Sequence, residues 1–99
     1  MTSRHYTIDR QERENLIKEI GIGIVVKKVR VDRHHRNGAE IHEITSTGII
    51  VIYNEKTGKL ITKLIARVGQ IKRYYKEEKA PKELIKIAYE HQTKNYNNF

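Results

Sequence analysis

The chain contains no cysteine, which removes disulfides and thiolate-held metals from consideration. It has a single proline, Pro81, and no Pro- or Ser-rich stretch, so nothing reads as a linker within the 99 residues. A chain of that length builds one domain and leaves too little for a second core. No run approaches the roughly 18 apolar residues of a membrane-crossing helix. The start, Met1-Thr2-Ser3-Arg4-His5-Tyr6, lacks the apolar stretch of a secretory signal. The expectation is a complete cytoplasmic chain forming one domain over 1–99, with no membrane partner and no cofactor, frayed over 1–6 and over the Asn-rich 93–99. Apolar residues are also scarce, at 37% against the roughly 45–50% of an average domain, so the core is thin.

Acidic residues are in short supply as well. Twenty Lys and Arg face twelve Asp and Glu, giving a formal charge of +8, and the isoelectric point is near 9.8. Such a field attracts polyanions and makes their binding salt-dependent, so RNA or another nucleic acid is the leading partner class. A protein partner, either an inhibitor or a host protein, is the other.

The apolar residues cluster into clear segments, which sets this chain apart from a disordered one. Asp9 to Ile20 reads as a helix, with Asp9 and Glu12 spaced as a capping box, Leu16, Ile17 and Ile20 as its apolar stripe, and Gly21 as its stop. Ile22, Ile24, Val25, Val26, Val29 and Val31 read as a first strand that runs on into Asp32-Arg33-His34-His35-Arg36. Asn37-Gly38 is a strong two-residue hairpin signal, because both residues tolerate positive φ. Ala39 to Thr45 follows as a second strand, and Thr47-Gly48 turns it. Ile49 to Tyr53, apolar on both faces, is the expected central strand. Asn54 to Gly58 is the next turn, and Leu60 to Arg67 a fourth strand. Two helices, Gln70 to Lys79 and Pro81 to about His91, complete the order. The fold class is therefore α+β: an N-terminal helix, a four-stranded antiparallel meander and two C-terminal helices.

Five histidines are present, and three of them, His34, His35 and His42, lie close together. If Asn37-Gly38 makes a tight turn, His35 faces Glu40, His34 faces Ile41 and Arg33 faces His42. Strand alternation then gathers Arg33, His35, Glu40 and His42 on one face. Metal-independent RNA cleavage needs a base for the 2′-hydroxyl, an acid for the 5′-oxygen and a cation on the phosphate, and this set supplies all three. A polar hairpin tip also exposes such residues without any chemistry. A zinc site from the three histidines lacks a standard spacing, and no metal is carried forward. In the fourth strand, Lys63 and Arg67 share a face and Thr62 lies on the other, with Gln70 just beyond. The run Lys72-Arg73-Tyr74-Tyr75-Lys76 offers both phosphate contacts and stacking surfaces, although Ile71, Tyr74 and Tyr75 also have core spacing.

The stretch Ile49-Ile50-Val51-Ile52-Tyr53-Asn54-Glu55-Lys56-Thr57-Gly58-Lys59-Leu60-Ile61-Thr62 resembles a strand–turn–strand of small toxin-like ribonucleases in the barnase–EndoU–colicin–RelE superfamily. The order of elements is similar too, over about Tyr6 to Tyr75. The resemblance implies a metal-independent endoribonuclease, or a domain derived from one, with active groups on the concave face of the sheet. Thr62 sits at the position of that motif's threonine, and His5 precedes the opening helix as in many relatives. The usual turn aspartate is Asn54 here, and the His34–His42 cluster matches no fixed pattern of the family.

Two functions follow as expectations. In the first, an endoribonuclease, His35, Glu40 and His42 share acid–base work, Arg33 or Arg67 holds the phosphate, and Thr62 positions. Arg33, His34, Arg36, Lys63, Gln70, Lys72, Arg73 and Tyr74 bind the nucleic acid. In the second, a non-catalytic binder of phage or mobile-element type, the same basic surface binds and nothing is cut.

Overall fold

A computed structural model of the chain describes residues 10–32, 38–76 and 78–94. The elements run α1 (Arg10–Ile20), β1 (Val25–Val31), β2 (Glu40–Thr45), β3 (Ile49–Asn54), β4 (Leu60–Ile65), α2 (Val68–Tyr75) and α3 (Lys82–Thr93). The four strands form one antiparallel sheet in the order β1-β2-β3-β4. This is the α+β meander anticipated above, and β3 has a paired neighbour on both sides.

The alternation of β2 and β3 divides the core in two. Ile44, Ile50 and Ile52 face α2 and α3, where they pack with Ala66, Ile71, Tyr75, Leu84 and Ala88. Ile49 faces the other way and packs with Ile65 and with Ile17 of α1, under Leu16, Ile20 and Val51. Strand residues pointing to opposite sides of the pleat produce this split directly.

Several boundaries differ from expectation, each for a local reason. Ile22 and Ile24 lie outside β1, and Ile24 is 71% exposed. The Ile24 backbone is tied instead to Ser46, whose amide donates to Ile24 O at 2.7 Å and whose Oγ accepts from Ile24 N at 3.1 Å. β4 ends after Ile65 with one last in-register bond, from the Ala66 amide to Gly48 O (2.8 Å), because Arg67 already opens α2. α2 ends early, at Tyr75, because Lys76 turns the chain with φ +51.

The register of β1 on β2 is the main correction. Val31 stands opposite Glu40 and Val29 opposite His42, a register four residues from the one expected of an Asn37-Gly38 turn. The β1 partners of His42 and Glu40 are thus Val29 and Val31, and the expected partners Arg33 and His35 belong to 33–37, which lie outside the described residues. The ladder is built from the β-branched run, which fits a pleated, half-covered surface better than Arg33 to Arg36 would. Glu40 and His42, two apart in β2, share a face whatever the register of β1.

Between β3 and β4 the turn is set by Asn54, which is 8% exposed. Its Oδ1 accepts from the amides of Lys56 and Thr57, both at 2.9 Å, while Gly58 at φ +74 donates to Asn54 O at 2.8 Å. An Asn or Asp carrying its own turn in this way explains the Asn54–Gly58 pattern by backbone chemistry alone.

Candidate functional site

β2 carries Glu40 and His42 onto the face covered by α2 and α3, where burial of the surrounding apolar side chains takes His42 to 5% exposure. From α2, Tyr74 reaches the same point across a sequence gap of 32 residues. His42 Nε2 lies 2.9 Å from Glu40 Oε1 and Nδ1 lies 2.5 Å from the Tyr74 hydroxyl. The rings of His42 and Tyr74 are tilted, with centroids 5.5 Å apart. A carboxylate only accepts, so Nε2 carries a proton and donates it to Glu40. In the neutral imidazole Nδ1 is then the acceptor, and the Tyr74 hydroxyl donates to it. The result is a buried carboxylate–imidazole–phenol chain, Glu40–His42–Tyr74, linking β2 to α2.

Tyr74 also lines a cleft of about 530 Å³ at the β1 edge of the sheet, together with Lys27, Lys28, Val29, Arg30, Tyr75, Lys76 and Glu78. Lys27 is held inside it by Glu78 (3.0 Å) and lies 4.8 Å above the Tyr75 ring. Lys28 and Arg30 point to the opposite face of β1, where they meet Glu43 (3.6 Å) and Glu55 (2.9 Å). The Glu55 partnership holds the Arg30 guanidinium above its ordinary pKa.

The expected site residues fall into four groups. Glu40 and His42 come together, and Tyr74 joins them, where the sequence marked it only as a nucleic-acid contact. Arg33, His34, His35 and Arg36 lie outside the described residues. Thr62 shares the cross-strand row Val29–His42–Ile52–Thr62 but is two strands from His42, about 10 Å by strand spacing, with Ile52 between them. The remaining residues lie elsewhere. Lys63 is on the α1 face, 3.6 Å from Glu14. Arg67, Lys72 and Arg73 are exposed, and Gln70 Oε1 caps α2 by accepting from the Arg67 amide at 2.9 Å.

Sequence reading passed over Lys27, Lys28 and Arg30, which stand among the valines that mark the strand, with Lys27 on the face of Val29 and Val31 and the other two on the opposite face. It also passed over His91, which is buried on α3 with Nε2 donating to Thr47 O at 2.9 Å, at the turn between β2 and β3. Among the described residues no three His, Cys, Asp or Glu side chains gather into a metal site, and no helix is long and apolar enough to cross a membrane.

Comparison with known protein-family models, with curated proteins and with solved structures returned no match in any of the three. The class this chain presents is therefore defined by its own fold and site: a basic α+β domain with a carboxylate–imidazole–phenol chain beside a cation-lined cleft.

Proposed function

We propose that this protein is an endoribonuclease that cleaves RNA without a metal ion, using Glu40, His42 and Tyr74 as its base. The observation that carries the reading is the hydrogen-bonded order of the three groups, with Tyr74 at the end that lines the cleft. His42 is too buried to meet a ribose directly, so the phenol is the group that does. As the 2′-hydroxyl attacks phosphorus, its proton passes to the Tyr74 oxygen while Tyr74 passes its own proton to His42 Nδ1. The P–O5′ bond breaks to leave a 2′,3′-cyclic phosphate, and the departing 5′-oxygen takes a proton from water at the open mouth of the cleft. The imidazolium formed at His42 is stabilised by the Glu40 carboxylate already on Nε2, and cations of the cleft offset charge on the phosphate. The resemblance of Ile49 to Thr62 to small ribonucleases supports the same reading.

The burial of His42 favours a second reading. An imidazole 5% exposed with both nitrogens engaged also serves as a plain tie between β2 and α2. A chain of charge +8 then binds nucleic acid without cutting it.

Incubating the purified protein with total RNA in EDTA separates the two. Cleavage that survives chelation, and falls by about 10²–10⁴-fold in both His42→Ala and Tyr74→Phe, is the expected result. Binding by the parent protein with no cleavage leaves only the second reading.

A further inference from the structure

Four cationic residues and one carboxylate line the cleft between β1 and the end of α2, but the Lys28 and Arg30 side chains turn to the opposite face of β1, which leaves Lys27 and Lys76 as its cations. Three of the cations already have a carboxylate: Lys27 with Glu78, Lys28 with Glu43 and Arg30 with Glu55. Lys76 has none among the described residues. Its backbone is also out of the ordinary, with φ +51 and ψ −111, in the region that favours glycine. Lys76 is the only non-glycine residue with positive φ among those described. A helix that stops in this conformation ordinarily places Gly at such a position, because a Cβ there is strained. Backbone strain of this kind clusters at ligand sites, which singles out Lys76 on the wall of the cleft.

We infer that the cleft is a phosphate-binding subsite for a single-stranded polynucleotide, with Lys76 as the cation that takes the phosphodiester. The inference rests on the nucleic-acid reading above and adds to it where the strand runs. Tyr74 belongs both to the cleft and to the Glu40–His42–Tyr74 chain, so a phosphate on Lys76 lies next to the reacting group. The carbonyl end of α2 opposes an anion there. Lys76, together with Lys27 close by, supplies the opposing charge. Because the cleft lies at a sheet edge, between one strand and one helix end, it accepts a single backbone rather than a duplex.

The test is binding of a fluorescent 2′-O-methyl octauridylate, which has no free 2′-hydroxyl and stays intact. Lys76→Gly and Lys76→Asn both tolerate positive φ and remove the charge. Melting at or above the parent's temperature shows that neither lost its fold. Both should bind about threefold more weakly at low salt, and the log–log salt slope should shrink by about 0.7, the share of one phosphate on a single strand. Lys18→Gln, an exposed cation of α1 on the other side of the sheet, serves as control and should change neither affinity nor slope. Unchanged binding in both Lys76 variants overturns the inference, as does an equal loss in Lys18→Gln. Weakened binding in the Lys76 variants of a protein that never cuts unmodified RNA sustains the subsite and removes the ribonuclease. Cleavage with Lys76 binding unchanged does the reverse.

Discussion

On the side of the sheet beneath α2 and α3, the strands present a continuous apolar core with one polar group, His42, set into it and satisfied at both nitrogens. On the side toward α1, the apolar contact is confined to Ile17, Ile49, Ile65 and their neighbours. Beyond that patch the same strands carry Lys28, Arg30, Glu43 and Tyr53, paired with one another or with Glu55 at the surface. Both sides hold a half-buried tyrosine and a hydrogen-bonded carboxylate, with the Glu40 and Glu43 side chains 19% and 17% exposed, yet only the first side buries an imidazole beneath its helices. Covering a polar group raises the energetic stake of every bond it makes, so the difference between the faces lies in their lids more than in their residues.

The sharpest way to break this comparison is a charge placed on each side of β3. Ile50 is fully buried under α2 and α3, and Ile50→Asp leaves an unpaired carboxylate there, at about 3–5 kcal/mol. The domain should not fold cooperatively in a thermal melt. Val51 is half-buried on the α1 side, opposite Lys63. Val51→Asp should stay folded at a lower melting temperature, with the new carboxylate beside that ammonium. Equal collapse of both variants would show that α1 seals its face as completely as α2 and α3 seal theirs.

Next in size are the polar groups of the sealed face. His42→Leu leaves Glu40 without its imidazole and the Tyr74 hydroxyl without its acceptor, and Tyr74→Phe deprives Nδ1 of its donor. Each should reduce stability by about 1–3 kcal/mol in urea denaturation, the range for a buried group losing its partner. A loss below about 0.5 kcal/mol, no more than an ordinary surface substitution gives, would mean water reaches the trio.

On the open face, effects should be small. Lys28 and Glu43 are 3.6 Å apart with the lysine side chain 64% exposed, and Lys28→Ala should change stability by less than about 1 kcal/mol. A larger loss would show this pair to be shielded from solvent.

The smallest effect is a titration. The Tyr53 hydroxyl donates to Glu43 Oε2 at 2.8 Å, and that hydrogen bond, with lesser help from burial and the carboxylate charge, raises its pKa. The neutral phenol is the favoured form in the folded chain. Its contribution is therefore complete below the unfolded value of about 10 and is lost as pH rises through the higher folded value. Glu43→Gln should lower the Tyr53 midpoint toward the free phenol in an ultraviolet titration. An unchanged midpoint would show that the hydrogen bond does not persist in solution.

How much of this was legible beforehand can be seen residue by residue. The unbroken apolar run Ile49 to Tyr53 placed β3 inside the sheet, and Asn54 with Gly58 marked the turn that their own bonds then make. Glu40 and His42 were expected on one face because they are two apart in a strand, and they are. Their assigned companions came from reading a strong local signal, Asn37-Gly38, as setting the register, whereas Val29 and Val31 stand opposite His42 and Glu40. The ladder follows instead the longer β-branched run, which gains more from pairing than a two-residue turn does. Tyr74 was marked by its basic neighbours and by core spacing, but nothing in a string of residues says which strand that core face will meet.

The sequence by itself determined the element order, the two-sided burial of β3 and the excess of positive charge, because periodicity, turn residues and charge act within a few residues of chain or do not depend on its path. Tertiary structure alone decided that His42 lies between Glu40 and Tyr74, that β1 brings Lys27 to the end of α2, and that Lys76 closes that helix in a glycine-like conformation beside a cleft. Those contacts join positions far apart in the chain, and only the joint packing of helix and sheet, which no local preference encodes, brings them within reach of one another.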